Sequence, residues 1–289
     1  MADLSALLAD LRAESADLDR LVAGLDPAAW ATPTPAAGWT VAHQIAHLAW
    51  TDASALQAVT DPDSFVAAVT AVVAEGRIDG YVDAAADEGA RQAPAMLLSS
   101  WRAARDDLAA ALSTVSAGTK IPWYGPPMSA ASLATARLME TWAHGEDVAA
   151  ALGVTRTPTD RLRHVAYLGV RTRAFAFLSR GLPAPDAEVR VELTAPDGAL
   201  WTFGPEDAPD RVTGPGLDFC LLVTRRRHRA DLALVTAGPD ADRWLDLAQA
   251  FAGPPGADPT RNGDPTRNGD PAPSVDPAPS VDPAPSVAP

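Results

Sequence analysis

From Leu4 to Leu25 the chain places Leu4, Leu7, Leu8, Leu11, Leu18, Leu21, Val22 and Leu25 on the three-to-four spacing of a single helical stripe. A helix that is apolar on one face has to bury that face against other elements, and this constrains the fold more than any other feature. Asp3 is placed to cap the helix, and Gly24 with Pro27 marks its exit. The pattern then repeats. Thr40 can cap a second helix running to about Gln57, and 62–75 reads as a shorter one. The segment 93–114 carries Leu97, Trp101, Ala104, Leu108 and Leu112 on one face, and Ser129 starts a helix that Gly153 stops. Four main helices within about 150 residues, joined antiparallel, specify a helical bundle.

Beyond this point the period changes. A helix is expected over 158–180, capped by Thr159 or Asp160. Val189, Val191 and Leu193 then alternate, Pro196-Asp197-Gly198 supplies a turn, and 200–203 supplies the returning strand. Arg211–Thr213 reads as a short strand, 215–225 as a helix, 231–237 as a strand and 240–251 as a closing helix. The fold class is therefore a four-helix bundle followed by a small α+β unit, divided into 1–155 and 156–256. The remainder, 257–289, repeats DPTRNG twice and DPAPSV three times. Such proline-rich, nearly apolar-free repeats cannot bury enough surface to offset chain entropy, so this tail is expected to be disordered.

Charge and motif content narrow the function. The formal net charge is −14, which repels phosphate backbones and argues against nucleic acid as a partner. No apolar run approaches the roughly 18 residues of a membrane span. The N-terminal segment carries acids where a signal peptide would be basic, so the chain reads as cytoplasmic. Cys220 is the single cysteine, which rules out an internal disulfide and any cysteine-rich metal site. Lys120 is the single lysine among many arginines, and Ala, Pro and Asp are abundant; this bias points to a high-GC, actinobacterial source. Phosphate-binding, nucleophile-elbow, HExxH and CxxC signatures are missing.

Of the five histidines, His43 and His47 lie four apart on the second helix, and His144 lies four after Glu140 on the fourth. Residues four apart stand on one helical face about one turn from each other. The bare spacing has two readings. One is an ordinary pair that supports its own helix by a few tenths of a kcal/mol. The other is a facial set, His47, Glu140 and His144, that holds a divalent metal between facing helices and leaves coordination positions open. Ile45, Leu48, Leu138, Met139 and Trp142 put both segments against buried faces, where a carboxylate needs a partner, and a cation is one. His43 sits in the first turn, nearer solvent, and is left as a substrate contact, a support or a surface residue. His164 and His228 fall in arginine-rich stretches and read as surface residues.

Weaker candidates surround this set. The stiff loop IPWYGPPMS brings Trp123 and Tyr124 as either pocket wall or packing. Arg137, one turn before Glu140, could orient it or a substrate carboxylate, or be an exposed helical arginine. Arg225, Arg226 and Arg227 end a helix, where cations are favourable in any case; their functional reading is anion recognition. Cys220, in LDFCLLV, reads as a packing residue.

Two blocks carry a resemblance. GWTVAHQIAHLAWTD (38–52) and ARLMETWAHGEDVAAALG (136–153) resemble the metal motifs of the DinB/YfiT-like metalloenzymes, specifically the mycothiol-dependent maleylpyruvate isomerase group. The resemblance places the metal on His47, Glu140 and His144. It implies a small sterol-carrier-like α+β domain after the bundle, with an arginine from it gripping the thiol cofactor or a substrate carboxylate. It also implies a metal, zinc as first choice, that activates mycothiol for isomerisation of, or transfer to, a small electrophilic molecule. The substrate itself is not implied. Two other functions fit the same residues: a hydrolase or tailoring enzyme that activates water without a thiol, and a small-molecule binding protein whose metal is structural. The oligomeric state is open. Truncation before residue 257 is expected to leave the melting temperature and metal content unchanged; a clear drop in thermal denaturation would refute the reading of the tail.

Overall fold

The computed structural model describes residues 3–76, 80–253 and 258–261. Most of the repeat tail lies outside these residues; the described part, 258–261, meets the rest of the chain where Asp258 accepts a hydrogen bond from Arg225.

The first helix, α1 (Leu4–Val22), is capped by the Asp3 carboxylate, which accepts from the Ser5 amide at 3.0 Å. Its buried stripe is Leu7, Leu8, Leu11, Leu18 and Val22, with Leu4, Leu21 and Leu25 partly covered. Next come α2 (Val41–Thr60), α3 (Pro62–Ala74), α4 (Tyr81–Ala90), α5 (Pro94–Ser113) and α6 (Ala130–Ala151). The long helices α1, α2, α5 and α6 pack as the bundle, as their stripes require. Leu18, Val22, Val41, Ile45, Leu48, Leu97, Trp101 and Val148 close one end of its core. The helix α4 is an addition to the sequence reading. Its sequence, YVDAAADEGA, buries only Ala86 among its own residues and so has no aliphatic stripe to announce it. It docks because Gly89 lets it approach α2 closely: a Cβ there would lie 2.7 Å from that of Ala46.

The region expected as one helix over 158–180 is two, α7 (Leu162–Arg171) and α8 (Arg173–Leu178). Between them the Thr172 hydroxyl donates to the carbonyls of Leu168 and Gly169 at 3.0 and 3.1 Å, side-chain bonding that competes with helix continuation. A four-stranded mixed sheet follows, ordered β2-β1-β3-β4, from β1 (Val189–Thr194), β2 (Leu200–Phe203), β3 (Asp210–Pro215) and β4 (Val235–Ala237). The β1–β2 hairpin is antiparallel with Val191 opposite Phe203, β1 and β3 are parallel, and β4 returns antiparallel to β3. The helices α9 (Gly216–Val223) and α10 (Pro239–Leu247) complete the unit. The last strand is shorter than the expected 231–237 because the Ala233 amide goes to the Asp218 carboxylate at 2.7 Å rather than to the sheet. The closing helix stops before 251 because Ala248 turns extended and the Ala250 amide reaches the Val223 carbonyl at 2.7 Å.

The helical and mixed parts are joined by buried charge. Glu14, 1% exposed on α1, accepts from Arg161 at 2.8 Å and also from Arg156, both in the segment after α6. Arg156 further binds Glu146 and the Trp142 carbonyl on α6. Cys220 is fully buried with its sulfur 3.4 Å from the Leu162 carbonyl, and burial pushes its thiol well above the ordinary range. Each arginine keeps a second carboxylate, Glu146 for Arg156 and Asp17 for Arg161, so Glu14→Ala removes charged hydrogen bonds without stranding a cation and is expected to lower unfolding free energy by roughly 1.5–3 kcal/mol in urea titration. A change under about 1 kcal/mol, the range of exposed pairs, would show that the cluster contributes no more than a surface pair.

Candidate metal centre

The site lies where α2 and α6 face each other, and a buried ion pair fixes their register. The Arg137 Nε donates to Asp52 Oδ1 at 2.8 Å, both side chains being 5% exposed or less. Asp52 is five residues after His47, and Arg137 is three before Glu140. The pair therefore stands beside the point where His47 meets the Glu140–His144 face. Among the described residues, His47, Glu140 and His144 form a group whose ligand-type atoms lie within 4.8 Å of one another. Glu140 Oε2 is 3.1 Å from His144 Nε2 and 3.6 Å from His47 Nε2, and the two imidazole centroids are 4.5 Å apart.

Hydrogen bonding around His144 tests whether a cation suits this arrangement. Its Nδ1 lies 2.5 Å from Gln44 Oε1, while the Gln44 amide nitrogen donates to Thr34 Oγ1 at 2.9 Å. The Thr34 hydroxyl spends its one proton on the Trp39 carbonyl at 3.0 Å, so it can only accept from Gln44. That leaves the Gln44 oxygen for His144, whose Nδ1 must carry hydrogen. Burial first, and then the neighbouring His47, lower the His144 pKa to about 3, against the pull of Glu140. The neutral ring consequently aims an Nε2 lone pair at Glu140. Burial alone would push the Glu140 carboxyl up, but the two imidazoles set against it outweigh burial, and the group lies well below its ordinary value. A lone pair facing a carboxylate across 3.1 Å is unfavourable without a cation between or beside them. His47 Nδ1, moreover, is buried with no protein partner among the described residues. Two imidazole nitrogens and one carboxylate oxygen fit a divalent ion with open positions.

Residues 11–149 match the family model described as the mycothiol maleylpyruvate isomerase N-terminal domain, and residues 185–236 match one described as wyosine base formation. Two curated proteins, from two strains of Mycobacterium tuberculosis and both called uncharacterized, are 57% identical over 256 residues, covering 89% of this chain and 99% of theirs. Through residues 11–149 the chain belongs to the mycothiol maleylpyruvate isomerase-like group. Solved structures of the mycothiol-dependent maleylpyruvate isomerase and of a histidine-to-alanine mutant of it cover 82% of this chain and 95% of theirs, with TM-scores of 0.53 and 0.54. Their 16% identity makes the likeness one of fold. The second family model spans most of the mixed sheet.

In this isomerase-like chain the remaining candidates take varied positions. His43 belongs to the helix cap: the Thr40 amide donates to its Nδ1 at 3.2 Å, and its Nε2 lies 3.1 Å from Asp87 on α4. Trp123 and Tyr124 lie on a loop pinched by the Ile121–Met128 bridge. Trp123 stacks on Phe65 at 5.8 Å, which is packing, whereas Tyr124 stands 5.9 Å from Trp50, itself 6.3 Å from His47. With Tyr81 these rings form an aromatic wall beside the site. Burial raises the Tyr124 hydroxyl pKa, so it stays a neutral donor, reaching Ser54 at 3.4 Å. Arg137 is a correction to the reading of an exposed or substrate-facing arginine: it is buried and committed to Asp52. Arg225 pairs with Asp258 at 2.6 Å, and Arg226 pairs with Asp147 at 2.9 Å. Asp147 in turn lies 4.0 Å from His144 Nδ1, so Arg226 is the one of the three that approaches the centre. Arg227 is exposed and lines a cavity of about 250 Å³ between α6 and α9, together with Arg226, Asp147 and Arg156.

Sequence reading missed Gln44, Thr34, Asp52 and Asp147. Gln44, Asp52 and Asp147 signalled themselves only as polar residues on otherwise apolar helix faces, and Thr34, in the loop before α2, gave no signal. Arg137→Met alone is expected to cost roughly 3–5 kcal/mol and to reduce metal content, because Asp52 is left buried and unpaired. The double variant Asp52→Leu/Arg137→Met should recover most of that stability in urea titration; a double variant as unstable as the single one would refute this account of the pair.

Proposed function

We propose that this chain is an enzyme holding one divalent metal, zinc as first choice, on His47, Glu140 and His144, and using an exogenous low-molecular-weight thiol, mycothiol, on a small electrophilic substrate. The observation that carries the reading is the convergence of His47, Glu140 and His144, with ligand-type atoms within 4.8 Å of one another and Gln44 on the far nitrogen of His144, a donor set that leaves positions open for a further ligand. A metal bound there supplies Lewis acidity that lowers the pKa of a thiol or water brought to it.

The chain's own residues have separate tasks. The Asp52–Arg137 pair and the Gln44–His144 bond hold the donors in place. Trp50, Tyr81 and Tyr124 offer flat apolar surface beside His47, suited to a small unsaturated molecule, with the Tyr124 hydroxyl as a donor at its edge. Arg226 and Arg227 bring positive charge from the mixed unit to the neighbouring cavity, where an anionic group of thiol or substrate would be favoured. Cys220 cannot serve as the nucleophile from its buried position, which supports a thiol from outside. The isomerase structures of like fold are described as mycothiol-dependent, and the mycobacterial relatives agree with an actinobacterial source. We read the chain as cytoplasmic and acting on small molecules rather than on nucleic acid or membrane. Among the described residues no helix is long and apolar enough to cross a bilayer.

The test is metal content by mass spectrometry, wild type beside Glu140→Ala, followed by turnover of unsaturated electrophiles with and without mycothiol. One metal per chain, lost in the variant, with turnover that requires the thiol is the expected result. Thiol-independent turnover would favour a hydrolase or tailoring enzyme. No metal in either protein after reconstitution would refute the site and leave a binding role.

A further inference from the structure

The amide of Gln44 is fully buried on α2, on a helix whose other inward residues include Val41, Ile45, Ala46 and Leu48. An apolar side chain of that size would fill the same space without the cost of burying an amide. Both ends of the amide are used: nitrogen to Thr34 Oγ1 at 2.9 Å, oxygen to His144 Nδ1 at 2.5 Å. The direction of the chain is forced at its far end, where the Thr34 hydroxyl donates to the Trp39 carbonyl at 3.0 Å. Three successive bonds thus run from His144 into backbone, with no freedom for the amide to flip.

We infer that Gln44, aligned by Thr34, is the positioning residue of this centre: it fixes His144 in the tautomer that presents Nε2 to the metal, and it does so with a neutral acceptor. The inference rests on the reading of His47, Glu140 and His144 as ligands. A partner on the second ring nitrogen sets both the orientation and the basicity of a ligating histidine. A carboxylate could have taken that place, since Asp147 Oδ2 lies 4.0 Å from the same nitrogen. Arg226 holds Asp147 instead, at 2.9 Å, and the amide has the direct contact. A neutral acceptor donates less electron density through the ring than a carboxylate, so the metal keeps more of its Lewis acidity for an incoming ligand. The indole of Trp39 stacks on His144 at 5.9 Å and 16°, which further restricts rotation of the ring.

The experiment measures zinc affinity by chelator competition, and the visible spectrum of the cobalt-substituted protein, for wild type, Gln44→Leu, Gln44→Glu and Thr34→Val. Gln44→Leu is expected to weaken zinc binding about 10–100-fold and to alter the cobalt spectrum. Gln44→Glu restores an acceptor at Nδ1, so its affinity should match or exceed that of wild type, a rescue that a purely packing role would not produce. Thr34→Val frees the amide to flip and should fall between them. Far-UV circular dichroism of the metal-free proteins establishes that each is folded. If Gln44→Leu binds as tightly as wild type with an unchanged spectrum, or if folded Gln44→Glu is as weak as Gln44→Leu, the inference is overturned while the metal site stands. Wild type that takes up no zinc or cobalt overturns the site reading and this inference together.

Discussion

The ion pair between Asp52 and Arg137 is the constraint on which the rest of the site depends. Two helices can slide past each other by a residue or a turn and still bury leucine against leucine. A buried carboxylate and guanidinium cannot, because any slip strands two charges in a medium that solvates neither. The pair lies five residues from His47 and three from Glu140, so it converts a permissive helix contact into a fixed register. The same logic acts at larger scale at Glu14, where α1 and the segment following α6 share one carboxylate. Charge buried in pairs contributes little net stability, but it is unforgiving of misalignment, and a site with tight distance requirements needs that property.

Much of this was legible in the sequence, and the reasons are local. The bundle helices announced themselves through leucine and valine stripes, and the caps at Asp3, Thr40 and Ser129 through their side chains. The Glu140–His144 spacing is a property of the helix itself, and His47 stood out as the histidine on an apolar face. What escaped were features made by contacts distant in sequence. Gln44 is unremarkable until Thr34 and His144 are known to flank it, 10 and 100 residues away. Arg137 was open to three readings, a support for Glu140, a substrate contact or a surface residue, because its partner is 85 positions distant. The α4 helix has almost no apolar stripe, and the break at Thr172 depends on a hydroxyl choosing carbonyls over solvent. None of these leaves a periodic trace.

The arginine run at 225–227 shows how residue type underdetermines role. Arg225 occupies the left-handed position after α9, with φ of 57°, where glycine is the usual residue. The amides of Arg225 and Arg226 bond to the Leu222 and Leu221 carbonyls at 2.9 and 2.8 Å, closing the helix end. Three adjacent cations consequently point in three directions: one to Asp258, one to Asp147 on α6, and one to solvent. A helix terminus that turns sharply spreads its side chains, and only one of them is delivered to the neighbourhood of the histidines.

The burial of Cys220 has a consequence of its own. Where small thiols and their oxidised forms are present, an accessible cysteine is open to mixed-disulfide formation, since exchange requires a thiolate that can reach a sulfur. Here the sulfur is sealed between α9 and α7 and held in its protonated form. Its single thiol is thereby withheld from exchange: neither the thiolate nor the access that mixed-disulfide formation requires is present at this sulfur.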